Sequence, residues 1–520
     1  MPARTIPVLT PAQSAAWDQR AEQEGMALES LMENAGRGTA AVLLDRFGHA
    51  ARKGVLVAAG PGHNGGDGWV LATALHALGV PVFVTSAGGS ASLTLKVAER
   101  ARAAGVREVA VDGPWPAVGL LVDALLGTGA SGAPKGAVAA LLERLHDLPL
   151  PILAVDGPTG LDLGTGLQHG APRADLTVTF GGLRRGHLLA RDEVGALVVL
   201  DIGHPAPERG LPQLVTDDHA AGWLPRLRAN AHKGERGRVV CIGGAPGMSG
   251  ALRLSARAAF AAGAGLVFTC SPPETTALIA AAEPDVQARA WSGKVESEEL
   301  RVLLGQADAL VVGPGLGRAP EARTAVLGLL ASASMSTSVV LDADGLMAFA
   351  GAVPELKKSI GGRKAVLTPH LGEFRALFPA HAATAEQDPW GAALAAARDS
   401  GAVVLLKGVP TVIASPDGAS LTVAAGTPGL ATGGSGDVLS GLIGAALGAG
   451  VDPFHAAALG AQALGRAGDL AARRTSARSM RPMDVINALP DLWRAWDLRG
   501  AARPAPRAPV LVELERPRSS

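Results

Sequence analysis

Short, continuously apolar segments alternate along the chain with longer Ala-rich segments. In the first part of the chain these runs occupy 54–60, 81–86, 119–127, 151–157, 175–181 and 196–203. A strand that is covered by helices on both faces is apolar throughout instead of alternating, and this is the pattern of a parallel sheet. The alternation therefore predicts an α/β fold in which helices cover both faces of a parallel sheet.

The pattern stops in the turn-rich segment "GHPAPERGLPQ" (203–213) and then restarts. Because 520 residues are too many for one hydrophobic core, we expect two tandem three-layer domains, 1–212 and 213–498. The Pro- and Arg-rich tail, 499–520, is predicted to be disordered. Apolar runs of the second part lie at 237–244, 265–271, 307–315, 338–345, 365–370 and 402–408, followed by a predicted hairpin at 411–426.

Charge and cysteine usage exclude several classes of protein. Lys plus Arg (47) equals Asp plus Glu (47), so no net charge favours general binding to nucleic acid or to an anionic membrane. The apolar run 438–451 is too short to span a bilayer and is predicted to be a buried helix. Cys241 and Cys270 lie in strand-like runs, which indicates a reduced, cytoplasmic protein with no expected membrane or nucleic-acid partner.

The segment "GPGHNGGDGWV" (60–70) follows a strand and opens a helix, and Gly60, Gly62 and Gly65 match the dinucleotide-binding spacing. The next strand ends "VFVTSAGGS" without the acidic residue that would hold a ribose hydroxyl, which argues against a simple redox dehydrogenase. Free amides at a helix start suit a phosphate. A tight turn without a ligand is the alternative.

Polar side chains follow three predicted strands, and they are Asn64, Asp123, Asp156 and Thr159. The carboxyl ends of parallel strands meet at one edge of the sheet, so these four groups are predicted to converge. Their oxygens suit an alkali or alkaline-earth ion. Each Asp taken alone could equally have a loop or N-cap role.

A second glycine-rich stretch, "ATGGSGDVLSG" (431–441), precedes the apolar helix. Amides of residues 433–436 can cradle phosphate oxygens at the helix start, although no G-K-[S/T] of a Walker loop closes the segment. Asp437 could accept a proton from a hydroxyl that attacks the terminal phosphate. An acid that is merely favoured in the first helical turn is the alternative.

Lys407 ends the run "AVVLLKG" and His370 lies in "LTPHLGEF". The lysine could neutralise phosphates or be a surface residue. The histidine could contact a substrate or stabilise a turn.

The first part of the chain, roughly 5–210, resembles the NAD(P)HX epimerase family in four segments, "GPGHNGGDG", "VDALLGTGASG", "AVDGPTGLD" and "ADLTVTFG". The resemblance implies a Rossmann-like fold, a bound potassium ion and interconversion of the R and S forms of NADHX and NADPHX. These are hydrated, redox-inactive forms of the reduced nicotinamide cofactors.

By this resemblance Asp123 is the acid/base, and Asn64, Asp123 and Thr159 hold potassium. His63, Gly157 and Thr159 stand where the family has Asn, Ile and Ser, and the threonine keeps the hydroxyl that the metal site needs. The residues implied to bind the hydrate are His63, Asn64, Gly65, Gly66, Asp67, Gly127, Thr128, Gly129, Ala130, Ser131, Gly132, Ala133 and Asp156.

The second part, roughly 225–495, resembles the ADP- or ATP-dependent NAD(P)HX dehydratase family. The motifs "HKG", "GPGLG", "DADGL", "TPHLGE", "LLKG" and "ATGGSGDVLSG" occur in the family's order, with "DADGLM" replacing DADALN. The resemblance implies a ribokinase-like fold, magnesium, and ADP or ATP as co-substrate. The C6 hydroxyl of the S hydrate is phosphorylated, and phosphate elimination then restores NADH or NADPH.

This second resemblance makes Asp437 the base that activates the hydroxyl. The residues implied to contact the hydrate are Ala251, Gly317, His370 and Asp437. The residues implied to contact the nucleotide are Lys407, Gly408, Val409, Pro410, Thr411, Gly433, Gly434, Ser435 and Gly436.

The two resemblances fit one function, because hydration produces both epimers and a dehydratase specific for S leaves the R form unrepaired. We therefore expect a cytoplasmic, homo-oligomeric repair enzyme whose partners are NADHX, NADPHX and ADP or ATP. Two alternatives remain open at this point. The second domain could be a vitamin or sugar kinase, and the first could be a non-catalytic nucleotide-binding module.

Overall fold

In a computed structural model, which describes residues 5–501 and 509–517, the chain divides into two units. Among the described residues, the first contains 5–211 and 509–517, and the second contains 212–501. The division after Leu211 lies beside the expected boundary at 212/213.

Each apolar run of the first unit forms a strand of one eight-stranded sheet, in the order β20-β9-β7-β6-β5-β2-β3-β4. All neighbouring strands are parallel except β20 and β9. The strands of this sheet are β2 (Val55–Ala59), β3 (Val82–Ser86), β4 (Arg107–Glu108), β5 (Leu120–Ala124), β6 (Ile152–Val155), β7 (Leu176–Phe180), β9 (Ala196–Leu200) and β20 (Val510–Leu514). Two short strands, β1 (Val8–Leu9) and β8 (Leu183–Arg184), pair in parallel as a separate two-stranded sheet. The helices are α1 (Pro11–Gln23), α2 (Leu28–Ala51), α3 (His63–Ala77), α4 (Ser92–Ala103), α5 (Gly136–His146) and α6 (Arg185–Leu189).

Strand β3 lies on one side of β2, and the later strand β5 lies on its other side. The strand order therefore reverses between β2 and β5, which makes this position a topological switch point. Loops that follow such neighbouring strands diverge and leave a crevice for ligands. The two loops nearly touch at Gly60, where any Cβ would collide with the carbonyl of Leu125. Glycine at this position therefore allows the crevice to form.

The prediction of a disordered tail is wrong for Val510–Leu514, which forms an antiparallel edge strand of the first unit. Leu514 is buried, and the buried guanidinium of Arg191 donates hydrogen bonds to the carbonyls of Gly195 and Glu515, at 2.9 Å and 2.8 Å. The strand, with its four apolar residues, therefore pairs with β9, which the Pro- and Arg-rich composition of the tail does not indicate. Residues 499–501 of the predicted tail are also ordered, as the end of the helix Pro482–Ala501, whereas 502–508 and 518–520 lie outside the described residues.

We expect removal of 504–520 to loosen the edge of the first sheet. The deletion removes the burial of Leu514 and the ladder partners of β9, each contributing about 1–2 kcal/mol. Hydrogen-exchange mass spectrometry should show amides of Ala196–Leu200 exchanging at least tenfold faster. A deletion of 518–520 alone is the matched control, and unchanged exchange in the longer deletion would contradict the expectation.

The second unit contains a ten-stranded sheet in the order β10-β19-β18-β17-β16-β15-β14-β11-β12-β13. The predicted hairpin is present as β18 and β19, which pair antiparallel. The strands are β10 (Gln213–Leu214), β11 (Arg238–Ile242), β12 (Leu266–Ser271), β13 (Gln287–Ala290), β14 (Ala309–Val312), β15 (Ser338–Leu341), β16 (Ala365–Leu367), β17 (Val403–Leu406), β18 (Thr411–Ala414) and β19 (Ser420–Val423). The helices are α7 (Asp217–Trp223), α8 (Ser249–Ala261), α9 (Pro273–Ala282), α10 (Glu298–Gly305), α11 (Ala322–Ser332), α12 (Ala343–Met347), α13 (Val353–Ile360), α14 (Leu371–Leu377), α15 (Pro389–Ser400), α16 (Ser435–Gly448), α17 (Pro453–Arg474) and α18 (Pro482–Ala501).

The apolar run 438–451 forms most of α16, whose residues from Val438 to Leu447 are all buried, as predicted. The helix packs against α8, α17 and the strands β14 and β15. None of the helices within 5–501 and 509–517 is long and apolar enough to cross a membrane.

Candidate active sites

A cavity of about 550 Å³ opens at the switch point of the first unit. Loops after β2, β5 and β6 form one side of it, and α1 and α2 contribute the other. The predicted binding residues that line it are His63, Asn64, Asp67, Gly127, Thr128, Gly129, Ala130 and Asp156. Gly65 and Gly66 are instead buried within α3, and Ser131, Gly132 and Ala133 lie exposed beyond the lining.

Asp156 is the most firmly held carboxylate of this cavity. Its Oδ2 accepts hydrogen bonds from Thr128 N (2.7 Å) and Thr128 Oγ1 (2.6 Å), and its Oδ1 accepts one from Thr179 Oγ1 (3.0 Å). The buried guanidinium of Arg184 lies 3.0 Å from Oδ1. Burial alone would raise the pKa of Asp156, but Arg184 and the Thr128 donors lower it below its ordinary value.

The backbone of Asp156 is strained, with φ of 64°, and few residues other than glycine adopt this region. The ring of His187 lies 2.7 Å from the Asp156 carbonyl oxygen, and burial lowers the pKa of this histidine to about 4. A neutral imidazole and an ion pair therefore fix the Asp156 carboxylate at the cavity surface as an anion.

Asp123 is fully buried and does not line the cavity. Thr159 donates to it twice, from N to Oδ2 and from Oγ1 to Oδ1, both at 2.7 Å, and Leu125 N donates at 3.2 Å. Burial raises its pKa in spite of these donors. The arrangement ties the ends of β5 and β6 together below the cavity floor.

The side-chain amide of Asn64 is buried without hydrogen-bond partners in the part of the chain that the structure describes. This is true of both its Oδ1 and its Nδ2. A buried amide without partners is costly, so a ligand for Oδ1 is expected. The amide oxygen of Asn64, like the oxygens of Asp123 and Thr159, is a donor of the type that hard cations prefer.

Sequence reasoning missed three residues that line this cavity, namely Asp18, Arg184 and His204. His204 Nε2 lies 2.8 Å from Asp18 Oδ1, and its ring stacks on Trp17 with centroids 4.5 Å apart. Asp18 and His204 are 186 positions apart. No local motif marks either residue, although the turn segment after β9 has a single histidine.

In the second unit, the start of α16 lies next to the partly buried side chain of Lys407. A Cβ on Gly436 would lie 3.4 Å from Lys407 Nζ and 3.9 Å from Asp342 Oδ2. Glycine at this position therefore leaves room beside the ammonium group. The hydroxyl of Ser435 is buried without a partner among the described residues, at the start of the helix.

Lys407 is not a surface residue, because two buried carboxylates hold its ammonium group. Nζ lies 2.9 Å from Asp342 Oδ1 and 3.6 Å from Glu373 Oε2, and Thr368 Oγ1 donates to the same Asp342 oxygen at 2.8 Å. Burial opposes the charged form, but Asp342 and Glu373 raise the pKa of Lys407. The lysine is a fixed positive charge beside the glycine-rich loop.

The carboxyl group of Asp437, on the first turn of α16, has an unusual protonation equilibrium. Burial, followed by the negative charge of Asp342, raises its pKa to about 7, and Lys407 only partly offsets this. Such a value is suited to a general base at neutral pH.

We expect the reaction that the resemblance of the second part implies, dehydration of the hydrate, to depend on pH through Asp437. A base acts only when deprotonated, so kcat/KM for the hydrate should fall about tenfold per pH unit below a pKa near 7 and level off above it. Initial rates between pH 5.5 and 9, with saturating nucleotide, would measure this. A profile that is flat from pH 5.5 upward would contradict it.

Asp344 organises the loop that contains Gly317. Its Oδ2 accepts a hydrogen bond from Gly317 N (2.9 Å), and its Oδ1 lies 3.1 Å from Arg318 Nε. Gly315 lies beside Ala251, because a Cβ on Gly315 would be 3.3 Å from that of Ala251. Two predicted hydrate contacts, Ala251 and Gly317, therefore belong to neighbouring segments.

His370 caps α14, since its Nδ1 accepts hydrogen bonds from Gly372 N and Glu373 N. The side chain is exposed, so the turn role and a substrate contact are compatible. The backbone at His370 also bridges to Lys407, whose N donates to the carbonyl of Pro369 at 2.9 Å. After Lys407 the chain reaches the surface, because Val409 is exposed, and it enters strand β18 at Thr411.

Two protein families match the two units. The family described as NAD(P)H-hydrate dehydratase matches residues 239–491, and the family described as YjeF-related protein N-terminus matches residues 28–186.

Curated relatives span nearly the whole chain. The bifunctional NAD(P)H-hydrate repair enzyme of Moorella thermoacetica is 37% identical, with 89% of this chain and 92% of that protein covered. The enzyme of the same description from Escherichia coli is 36% identical, with 91% and 90% covered. A solved structure, the ADP/ATP-dependent NAD(P)H-hydrate dehydratase of Bacillus subtilis co-crystallised with ATP and Mg²⁺, is 27% identical, covers 56% of this chain and all (100%) of that chain, and has a TM-score of 0.47.

Proposed function

The chain belongs to the family of bifunctional NAD(P)H-hydrate repair enzymes, and from this premise we propose how its two sites divide the work. The Rossmann-like first unit is the epimerase for R- and S-NAD(P)HX. The ribokinase-like second unit is the ADP/ATP-dependent dehydratase that returns S-NAD(P)HX to NAD(P)H.

In the epimerase unit, the amides at the start of α3 and the loop after β5 bind the phosphates of the hydrated dinucleotide. Asp156, held as an anion by Arg184 and Thr128, orients the hydrate within the cavity. Asn64, Asp123 and Thr159 would hold potassium, which fits the unpartnered amide of Asn64. The cation supplies charge that organises the loops around the substrate. Asp123 itself, enclosed by Thr159 and Leu125, serves this cation site more directly than it serves the hydrate.

In the dehydratase unit, Asp437 accepts the proton of the C6 hydroxyl as its oxygen attacks the terminal phosphorus of the nucleotide. The bond from that phosphorus to the bridging oxygen breaks, and the nucleotide leaves with one phosphate fewer. Residues 433–436 and Lys407 stabilise the phosphate charge that develops. The C6–O bond of the phosphorylated hydrate then breaks, phosphate leaves, and loss of the C5 proton restores the ring double bond. Lys407, Gly408, Val409, Pro410 and Thr411 lie on the nucleotide side.

Magnesium prefers carboxylate and phosphate oxygens, so such an ion would be held here by a carboxylate of this chain. Asp342 Oδ2, which faces Gly436, would hold it. The ion supplies neutralisation of the transferring phosphate. A cytoplasmic location and a homo-oligomeric state remain predictions.

The observation that carries this proposal is the position of Asp437. A carboxyl group with a pKa of about 7 lies on the first helical turn after the glycine-rich loop, in the same cluster as Lys407. A general base for a substrate hydroxyl needs a pKa near the working pH and a position close to the phosphate that the hydroxyl attacks.

The test is the return of dihydronicotinamide absorbance from an R/S mixture of NADHX with magnesium, potassium and either ADP or ATP. Complete recovery supports both activities, and recovery limited to the S fraction would contradict the epimerase assignment. A stable phosphorylated product without NADH would favour a small-molecule kinase.

A further inference from the structure

The epimerase cavity contains a second inward-facing carboxyl group besides Asp156. Asp67 lies on α3 one turn after Asn64, and its side chain lines the cavity. Within 5–501 and 509–517, no donor hydrogen-bonds its carboxyl oxygens and no cation forms an ion pair with it. In contrast to Asp156, it is therefore unrestrained and can reach a bound ligand.

The surroundings of the two carboxyl groups shift their pKa values in opposite directions. Burial, together with the negative charges of Asp156 and Asp18, raises the pKa of Asp67 well above its ordinary value. Arg184 and Thr128 lower that of Asp156. Environments that separate two carboxyl groups in one cavity in this way are typical of an acid beside an anion.

Asp123 is less suited to the acid role. Its carboxylate is fully buried, lies outside the cavity lining and already accepts hydrogen bonds from Thr159 and Leu125. A group that exchanges a proton with the substrate must lie within hydrogen-bond reach of it. Asp67 meets this condition by lining the cavity.

Resting on the proposed epimerase function, we propose that Asp67 is a catalytic acid that protonates the C6 hydroxyl of the hydrate. The C6–O bond then breaks with its electron pair, and water and a cationic ring with an N1–C6 double bond result. Water adds to the opposite face of C6 and returns its proton to the Asp67 carboxylate. The cycle forms and breaks one C–O bond and consumes no other reactant.

The charges of the cavity favour this route. The ring acquires a positive charge while Asp67 becomes an anion, next to the carboxylates of Asp156 and Asp18, and negative groups fixed in advance stabilise a developing cation. Arg184 is neutralised by Asp156 and does not oppose it. The titratable and charged groups that line the same cavity as Asp67 are Asp18 of α1, His63 of α3, Asp156 after β6, Arg184 of β8 and His204 after β9.

The first experiment uses the full chain without nucleotide and follows conversion of R-NADHX into S-NADHX. We expect Asp67→Asn to slow epimerisation by roughly 10²–10⁴-fold, because the amide has no proton to donate. Wild-type kcat/KM should fall as pH rises through the pKa of Asp67, and the variant should lack this decrease. Asp45→Asn, an exposed change on α2, is the matched control.

A second measurement does not depend on a variant. In water enriched in ¹⁸O, each wild-type conversion should place one solvent oxygen at C6, after correction for the reaction without enzyme. Conversion that retains the original oxygen would overturn the inference, as would an Asp67→Asn enzyme with wild-type rate and pH profile. A wild-type chain that does not epimerise at all would refute the proposed function instead.

Discussion

Asp437→Asn is expected to reduce dehydration of S-NADHX by roughly 10²–10⁴-fold and to leave epimerisation unchanged. The amide has nearly the shape of the carboxylate but cannot accept the proton of the C6 hydroxyl. Initial rates of NADH formation from pure S-NADHX, with saturating ATP and magnesium, would measure the loss.

Nucleotide affinity should change much less than the rate, because Lys407 and the amides of 433–436 remain. Glu296→Gln, which changes an exposed carboxylate of the same unit, is the matched control and should retain full activity. A variant that keeps more than one tenth of the wild-type rate would show that Asp437 is not the base.

Arg184→Met is expected to destabilise the epimerase unit by about 3–5 kcal/mol, because it leaves the buried carboxylate of Asp156 without a counter-charge. Amides of Leu176–Phe180, which lie beside this ion pair, should exchange roughly 10²- to 10⁴-fold faster in hydrogen-exchange mass spectrometry. Epimerisation should fall, while dehydration of S-NADHX should persist.

The double variant Asp156→Asn/Arg184→Met removes both charges and is the control for this prediction. It should be more stable than Arg184→Met alone, since no unpaired charge remains buried. The pKa of Asp156 is lowered in the folded state, so the pair stabilises the wild type above the ordinary pKa of an aspartate. That contribution is lost as pH falls through the lowered value, and the double variant should lack this dependence. Equal stability of the two variants would contradict the interpretation.

The strands could be predicted from sequence because each is a continuous apolar run between loops. Val403–Leu406 and Ile152–Val155 are examples, and the order of the two α/β units follows from the same pattern. Val510–Leu514 could not be predicted, because its stability comes from an edge of a sheet that was formed about 300 residues earlier. Such a partner leaves no periodic signal in a Pro- and Arg-rich segment.

In the two sites as well, features set by local sequence could be predicted and features set by distant residues could not. Asp437, Lys407 and Asn64 lie within motifs, so their neighbourhoods were predictable from glycine-rich loops. Their protonation and pairing were not, because these depend on long-range partners. Lys407 and Asp342 are 65 positions apart, and Asp156 and Arg184 are 28 apart, with Arg184 outside every motif that the sequence shows. An ion pair of this kind forms only when the fold brings the two charges into one buried space.

The edge strand Val510–Leu514 also has a consequence for synthesis of the chain. The first unit leaves the ribosome with its outer strand missing, and about 300 residues of the second unit are translated before that strand exists. At roughly 5–20 residues per second this interval lasts about 15–60 s. During that time β9 is an open edge on the nascent chain, so the epimerase unit matures only after the dehydratase unit has been synthesised.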